Sequence, residues 1–410
     1  IARHFLINGI PVDVYNLSEP GELKNDALVN FEILIKLGSD ICCMYTITEN
    51  DPDILFRSLK KLKGKALIID AMLGSGTKGS VTGIYEKVIE QINTLKHKNI
   101  KIDVISVDVP SGIGEGITTG AAIDACHTIT MGAIKTELLY GAGKENTGSL
   151  SVVPIGITND CFERVNIYNK YLVEESDVKS LFPKRKKTSY KYSNGKSLVI
   201  GGSKGLSGAV IMSSLAALKA GSGAVLAAYP RSITTHFSRK LNEVIKTELD
   251  ETPDGSIAGD SYTKILKQLS KADAVLIGPG FSLNPETANF LFDVISNSTK
   301  PLVIDADALT LLAGNIEILK QRKSGSEIIL TPHLGEFSRL SGKTTDEINA
   351  NRFEIVRNFA KEYKVNVVLK SETSLSCTID GKIYINNSGN ELLGSAGSGD
   401  VLSGIMVSLL

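Results

Sequence analysis

Short apolar runs recur along most of this chain, each closed by a glycine or polar residue and followed by a stretch of helical periodicity. A run that is apolar at every position is buried on both faces, and the helices between such runs supply the cover. That alternation restricts the chain to α/β architectures built on mostly parallel sheets. In the first part, Val12–Tyr15, Ile41–Tyr45, Ala66–Asp70, Val104–Asp108, Ile129–Ala133 and Leu150–Val153 read as strands of one parallel sheet with helices on both faces. Leu23–Lys36 reads as a helix, with Leu28, Phe31, Leu34 and Ile35 on one face and Gly38 behind it, and Thr82–Lys96 as another.

A seam follows. Ile155–Tyr168 is weakly patterned, and Lys184-Arg185-Lys186-Lys187 reads as a solvated linker. The alternation then restarts. Ser197–Ile200, Ala224–Ala228, Ala274–Ile277, Leu302–Ile304, Ile328–Leu330 and Asn366–Leu369 are expected strands, and Ser207–Ala220 is a helix of small residues. Ser376–Ile379 and Lys382–Ile385, joined by Asp380-Gly381, read as a hairpin. At 410 residues the chain holds two domains, expected over residues 1–160 and 170–410.

The formal net charge is zero, so neither nucleic acid nor an anionic membrane surface is an expected partner. No apolar run is long enough to span a bilayer. The five cysteines, Cys42, Cys43, Cys126, Cys161 and Cys377, have neither metal-ligand spacing nor a disulfide framework, which points to a reducing, cytoplasmic setting. Both ends read as cut. Ile1–Leu6 resembles the second half of a helix, and the apolar Met406–Leu410 lacks a cap.

The chemistry lies after the strands of the second part, where α/β sheets place their ligands. Gly201-Gly202-Ser203, Gly278-Pro279-Gly280, Asp305-Ala306-Asp307, Thr331-Pro332-His333-Leu334-Gly335-Glu336 and Lys370-Ser371-Glu372-Thr373 occupy these positions in turn. The last is Gly394-Ser395-Ala396-Gly397-Ser398-Gly399-Asp400, which opens a helix. Its glycines let backbone N–H groups converge on an anion at a helix N-terminus. Asp400 would stand at the rim of that site, able to deprotonate a hydroxyl that attacks a phosphoryl group.

This series resembles the ribokinase-like superfamily and, within it, the NAD(P)H-hydrate dehydratase family. The Pro332-His333-Leu334-Gly335-Glu336 element carries the distinction from sugar kinases. In the first part, Asp70-Ala71-Met72-Leu73-Gly74-Ser75-Gly76 and Asp108-Val109-Pro110-Ser111-Gly112 resemble the NAD(P)H-hydrate epimerase family. Fused in this order they resemble a bifunctional family that repairs hydrated NADH and NADPH. The expected fold is therefore α/β with two three-layer domains, Rossmann-like and then ribokinase-like.

The resemblance implies roles residue by residue. The epimerase interconverts the two C6 epimers of the hydrate. The dehydratase expels water from the S epimer, using ADP in bacterial members and ATP in eukaryotic ones. ADP, giving AMP and phosphate, is the expected donor here, with ATP the alternative, and magnesium accompanies it. Asp400 would be the general base, and Gly397, Ser398 and Gly399 would offer amides to the transferring phosphoryl. Lys370, Ser371, Glu372, Thr373 and Ser374 would contact the nucleotide, with Ser371 standing where the family usually has glycine. Ala209, Gly280, His333 and Asp400 would contact the hydrated substrate. Glu336 could equally cap the following helix. Asp305 and Asp307 could assist a metal–phosphate complex, or Asp307 could cap a helix. In the first domain Asp70 and Ser111 would hold potassium, a hard ion suited to oxygen donors. Gly74-Ser75-Gly76-Thr77-Lys78-Gly79-Ser80 would wrap the substrate diphosphate, and Asp108 would contact substrate and move the proton, or serve only as a turn former. The family's Asn- and Gly-rich loop ahead of Ile1 is missing from this sequence, so weak or absent epimerase activity is expected of the sequence as it stands, and full activity of a longer parent that carries the loop. A homo-oligomer is also implied.

Two further readings compete: a kinase of the hydroxymethylpyrimidine or hydroxyethylthiazole type, and a non-catalytic binding module. Retention of Asp70, Asp108 and Ser111 argues against the second. No Gly-x-Gly-x-x-Gly follows a first strand with an acidic residue at the right distance, which argues against an NAD-dependent dehydrogenase.

Overall fold

A computed structural model describes residues 1–37, 42–61, 64–98, 101–114, 119–164, 169–182, 184, 187–191, 193–322 and 325–410. Gly38, Ile41, Arg185, Lys186 and the end of the weakly patterned seam (165–168), all used in the sequence reading, lie outside them. The chain divides into two compact units, Ile1–Cys161 and Phe162–Leu410.

In the first unit, β1 (Val12–Asn16) pairs in parallel with β2 (Cys42–Thr46). Strands β3 (Ala66–Asp70), β4 (Ile102–Val107), β5 (His127–Met131) and β6 (Ser149–Val153) form a separate parallel sheet in that order. The single sheet expected from the alternation is thus two. Alternation encodes burial rather than pairing, and burial is satisfied either way: Ile47, Leu55 and Leu59 near the small sheet share one core with Val88, Ile92 and Val104. The helices expected here form as Asn25–Leu37 and Ile84–His97.

In the second unit a ten-stranded sheet runs β10-β9-β8-β11-β12-β13-β14-β15-β16-β7. The strands are β7 (Lys170–Leu172), β8 (Lys196–Ile200), β9 (Ala224–Pro230), β10 (Ile245–Leu249), β11 (Ala274–Ile277), β12 (Leu302–Ile304), β13 (Ile328–Leu330), β14 (Asn366–Leu369), β15 (Ser374–Cys377) and β16 (Ile383–Asn386). Among the described residues, only β15 runs antiparallel to its neighbours. Strand order reverses at β8, flanked by β9 and β11, so the crevice where such sheets bind ligands opens between the loops after β8 and β11. Those loops touch. The Gly202 amide donates to the Pro279 carbonyl at 2.8 Å, and a Cβ at Gly201 would lie 2.4 Å from that oxygen.

The hairpin forms with shifted bounds. Leu375 and Cys377 face the core while Ile379 is half exposed, so the inward period ends before the expected strand does. The connection spans residues 378–382, where the Thr378 amide donates to the Lys382 carbonyl at 2.9 Å.

The final helix, Ser398–Leu409, lies against the Ser207–Ala220 helix so closely that a Cβ at Gly404 would sit 2.3 Å from the Ser213 carbonyl. Ser222 donates to Ser408 at 2.9 Å, and Ser197 Oγ donates to the Val407 carbonyl at 3.2 Å. These contacts anchor the helix that carries Asp400. Val407 joins Val199, Ala227, Tyr229, Leu276 and Val303 in the core below.

Candidate active sites at the strand ends

In the second unit, Gly397 takes a left-handed conformation (φ 88°) as N-cap of the final helix. Asp400 falls in the helix's first turn. Burial raises the Asp400 carboxyl most, and the nearby Asp305 charge adds to it, with Asp307 contributing less and Lys370 opposing. The net result is a pKa of about 6 against an ordinary 3.8. Such a carboxylate is a stronger base than a solvated one and still ionised at neutral pH.

Around it stand residues from other strand ends. Asp305, which follows β12, is buried and accepts from Lys370 Nζ at 2.9 Å. Lys370, which follows β14, is fixed by its amide donating to the Pro332 carbonyl at 2.8 Å. A Cβ at Gly399 would lie 3.6 Å from Lys370 Nζ, so the glycine-rich turn and the lysine face the same space. An ammonium held by a carboxylate beside helix-terminal amides has the donors that an anion requires.

His333 is the N-cap of the Leu334–Ser341 helix, with Nδ1 accepting from the Gly335 and Glu336 amides at 3.0 and 3.3 Å. Glu336 completes the capping box by accepting from the His333 amide at 2.8 Å. The buried Glu336 carboxyl is pushed up by desolvation, against the pull of the His333 amide and Lys370. The His333 side chain is otherwise 56% exposed, leaving Nε2 on the open side 3.5 Å from Glu336 Oε1. Asp307 accepts from the Ser282 amide at 2.9 Å and so buttresses the loop after β11. Gly280 takes φ 68°, and a Cβ there would lie 2.6 Å from the Leu206 carbonyl and 3.3 Å from Ala209 Cβ. Ala209 and Gly280 therefore meet across the crevice.

Two residues were not singled out from the sequence. Arg352, 5% exposed, donates to Ser371 Oγ at 3.1 Å and lies 3.6 Å from Glu372. Ser371 in turn donates to the Thr373 carbonyl at 2.7 Å, so the turn at 370–374 is shaped by side chains where a glycine would leave it bare. The second is Lys135, in the first unit.

In the first unit, buried Asp70 accepts from Ser106 Oγ at 2.8 Å, from the Ser111 amide at 2.8 Å and from Ser111 Oγ at 2.5 Å. The Leu73 amide donates to Ser111 Oγ at 2.9 Å, which fixes the start of the 74–80 loop. Within that loop the Thr77 amide and hydroxyl both donate to the Gly74 carbonyl, and Ser80 Oγ donates to the Thr119 carbonyl at 2.9 Å. Asp108 has φ 71°, an unusual backbone for a residue with a Cβ. Lys135 holds it with an ion pair, and also donates to Thr130 Oγ1 at 3.1 Å and the Met131 carbonyl at 2.7 Å. Burial raises the Asp108 carboxyl, but the Lys135 ammonium, the Met131 amide and the Thr130 hydroxyl outweigh it, leaving it below its ordinary value. Lys135 follows β5 as Asp108 follows β4, so the parallel pairing brings them together.

The donor sets differ in what they suit. Asp70 with serine oxygens fits a hard, weakly charged cation such as potassium. No group of three or more His, Cys, Asp or Glu side chains forms a metal site among the described residues. No helix among the described residues is long and apolar enough to cross a membrane.

Comparison with known proteins gives two family matches: NAD(P)H-hydrate dehydratase over residues 197–410, and YjeF-related protein N-terminus over residues 1–137. A protein from Moorella thermoacetica named bifunctional NAD(P)H-hydrate repair enzyme Nnr is 35% identical over all of this chain and 75% of its own length. One of the same name from Thermofilum pendens is 34% identical over the same shares. Among solved structures, a ribokinase-like superfamily protein from Enterococcus faecalis V583 superposes with a TM-score of 0.50 at 22% identity, over 58% of this chain and 79% of its own. That likeness concerns the fold.

Proposed function

We propose, for a chain that belongs to the family of bifunctional NAD(P)H-hydrate repair enzymes, that each unit supplies one of the two activities and that the residues at the strand ends perform them. The enzyme epimerises hydrated NADH and NADPH and dehydrates one epimer with a nucleotide as co-substrate. ADP is the proposed donor and ATP the alternative, and a magnesium ion bound with the phosphates would neutralise their charge.

The observation that carries the dehydratase reading is Asp400, partly buried beside Asp305 and Lys370 at the mouth of a glycine-rich helix N-terminus. Hydroxide is a poor leaving group from the hydrated ring, and a phosphate ester is a good one. Asp400 takes the proton of the ring hydroxyl as its oxygen attacks the terminal phosphorus. The O–P bond forms, the bridging P–O bond breaks, and AMP departs when ADP is used. The amides of Gly397, Ser398 and Gly399 and the Lys370 ammonium face the charge on the transferring group. The C–O bond then breaks, phosphate leaves with the electron pair, and loss of a proton from the adjacent ring carbon restores the dihydropyridine. Ala209, Gly280 and the open face of His333 line the approach of the hydrate.

In the first unit Asp70 and Ser111 would hold potassium, the 74–80 loop would take the diphosphate, and Asp108 would transfer the proton with Lys135 setting its charge. Free thiols at all five cysteines support the cytoplasmic location proposed with this reading, and self-association is proposed from family resemblance.

Incubation of the chain with hydrated NADPH, magnesium and either ADP or ATP tests the reading. The expected result is recovery of the dihydropyridine absorbance with stoichiometric free phosphate. A stable phosphorylated product without recovered NADPH would assign the site to a small-molecule kinase instead.

A further inference from the structure

Beside Ala209 and Gly280, a cleft of about 410 Å³ opens among the segments that follow β8, β10 and β11. It is large enough for a nucleotide-sized group. Its lining combines Ser203, Lys204, Asp254, Ser256 and Ser282 with the apolar Leu206. None of these residues has a part in the chemistry described above.

The polar lining is built rather than incidental. Ser256 Oγ and Ser282 Oγ lie 2.7 Å apart, and Ser282 is held by its amide donating to Asp307. The Lys204 amide donates to the Gly255 carbonyl at 2.9 Å, which ties the loop after β8 to the segment after β10 while the lysine head stays in solvent. Asp254 accepts from the Asn284 side chain at 3.1 Å. Ser203 is different. It is 1% exposed, and its hydroxyl has no hydrogen-bond partner among the described residues. A buried hydroxyl without a partner is uncommon in native proteins and calls for one. The cleft also adjoins the acceptor end of the active site, since the Leu206 carbonyl abuts Gly280.

We propose that this cleft binds the adenosine-bearing half of the dinucleotide substrate, with the Lys204 ammonium on a phosphate oxygen, the Ser203 hydroxyl donating to the same half, and Asp254 accepting from a ribose hydroxyl. An ammonium and a carboxylate on one cleft suit a sugar phosphate, which offers an anion and hydroxyl donors together. The assignment rests on the dehydratase reading, because it names where the far half of that enzyme's substrate lies. Binding energy gathered there would be used on a ring that is itself small and has few polar handles.

The test compares two substrates in wild type and in Lys204→Met and Ser203→Ala. One is hydrated NADH, and the other is hydrated reduced nicotinamide mononucleotide, which lacks the adenosine half. The expected result is a rise of about tenfold in KM for hydrated NADH in Lys204→Met and a smaller rise in Ser203→Ala. Turnover of the hydrated mononucleotide, and the KM for ADP or ATP, should stay at wild-type values. The unchanged donor KM also reports that the variants are folded. Equal losses on both substrates, a raised donor KM, or no change on hydrated NADH would each overturn the assignment. Failure of wild type to dehydrate either compound would instead overturn the dehydratase reading on which it rests.

Discussion

Replacing Asp305 with asparagine should move the pH dependence of the dehydratase downward. Asp305 is the strongest charged neighbour raising Asp400, after burial itself, and it also holds Lys370 at 2.9 Å. The neutral amide removes a negative charge beside Asp400. It also releases the ammonium that already opposes the elevation, so both consequences stabilise the Asp400 carboxylate. The elevation runs from 3.8 to about 6, and burial, its leading cause, survives the substitution. Asp400 is partly exposed, and solvent screens what remains. The acid-limb midpoint should therefore fall from about 6 by roughly one pH unit. The measurement is kcat/KM for the hydrate between mildly acidic and neutral pH at fixed nucleotide, followed by phosphate release. That parameter reports the free enzyme, which is the state whose electrostatics are described. Plateau activity will also drop, because Lys370 loses its anchor, so the midpoint alone is diagnostic. A midpoint that stays put or rises would refute the argument that Asp305 sets the basicity of Asp400.

Two other substitutions probe the same electrostatics. Asp400→Asn should abolish hydrate-dependent phosphate release yet raise thermal stability at neutral pH. With a folded pKa of about 6 above the ordinary 3.8, Asp400 binds protons more tightly when folded, so its cost appears as pH rises through that window and is complete above it. After allowance for screening the gain is on the order of 1 kcal/mol, readable as a small increase in Tm at pH 7.5 that vanishes near pH 4. In the first unit, Lys135→Met removes the ammonium that, together with the Met131 amide and the Thr130 hydroxyl, outweighs burial at Asp108. The Asp108 carboxyl, followed by carbon NMR, should then titrate higher than in the unsubstituted chain, and an unchanged midpoint would show that Lys135 does not set its charge.

The sequence makes the central strands legible to the residue. Strands β11, β12 and β13 have the bounds expected of them, because strands apolar at every position leave no choice of face, and β3, β14 and the Ser207–Ala220 helix match their expected bounds as well. Edge strands carry a weaker pattern. In β10 only Leu249 is buried, and β7 has just three residues, so neither stands out from its surroundings. The glycine turn ahead of Asp400 was readable for the same local reason as the capping box at His333 and Glu336: both are written within a few residues. The Asp305–Lys370 pair, the Asp108–Lys135 pair and the Arg352 contact to Ser371 were not, since their partners are far apart in sequence and meet only through strand order.

Labelling the hydroxyl of the hydrated substrate with heavy oxygen addresses the claim that phosphorylation serves to expel water. If Asp400 activates that hydroxyl toward phosphorus, the labelled oxygen forms the new O–P bond and leaves on carbon–oxygen cleavage, so the label must appear in inorganic phosphate. Label recovered in water, with unlabelled phosphate, would mean that nucleotide cleavage and dehydration are separate events and would contradict the account.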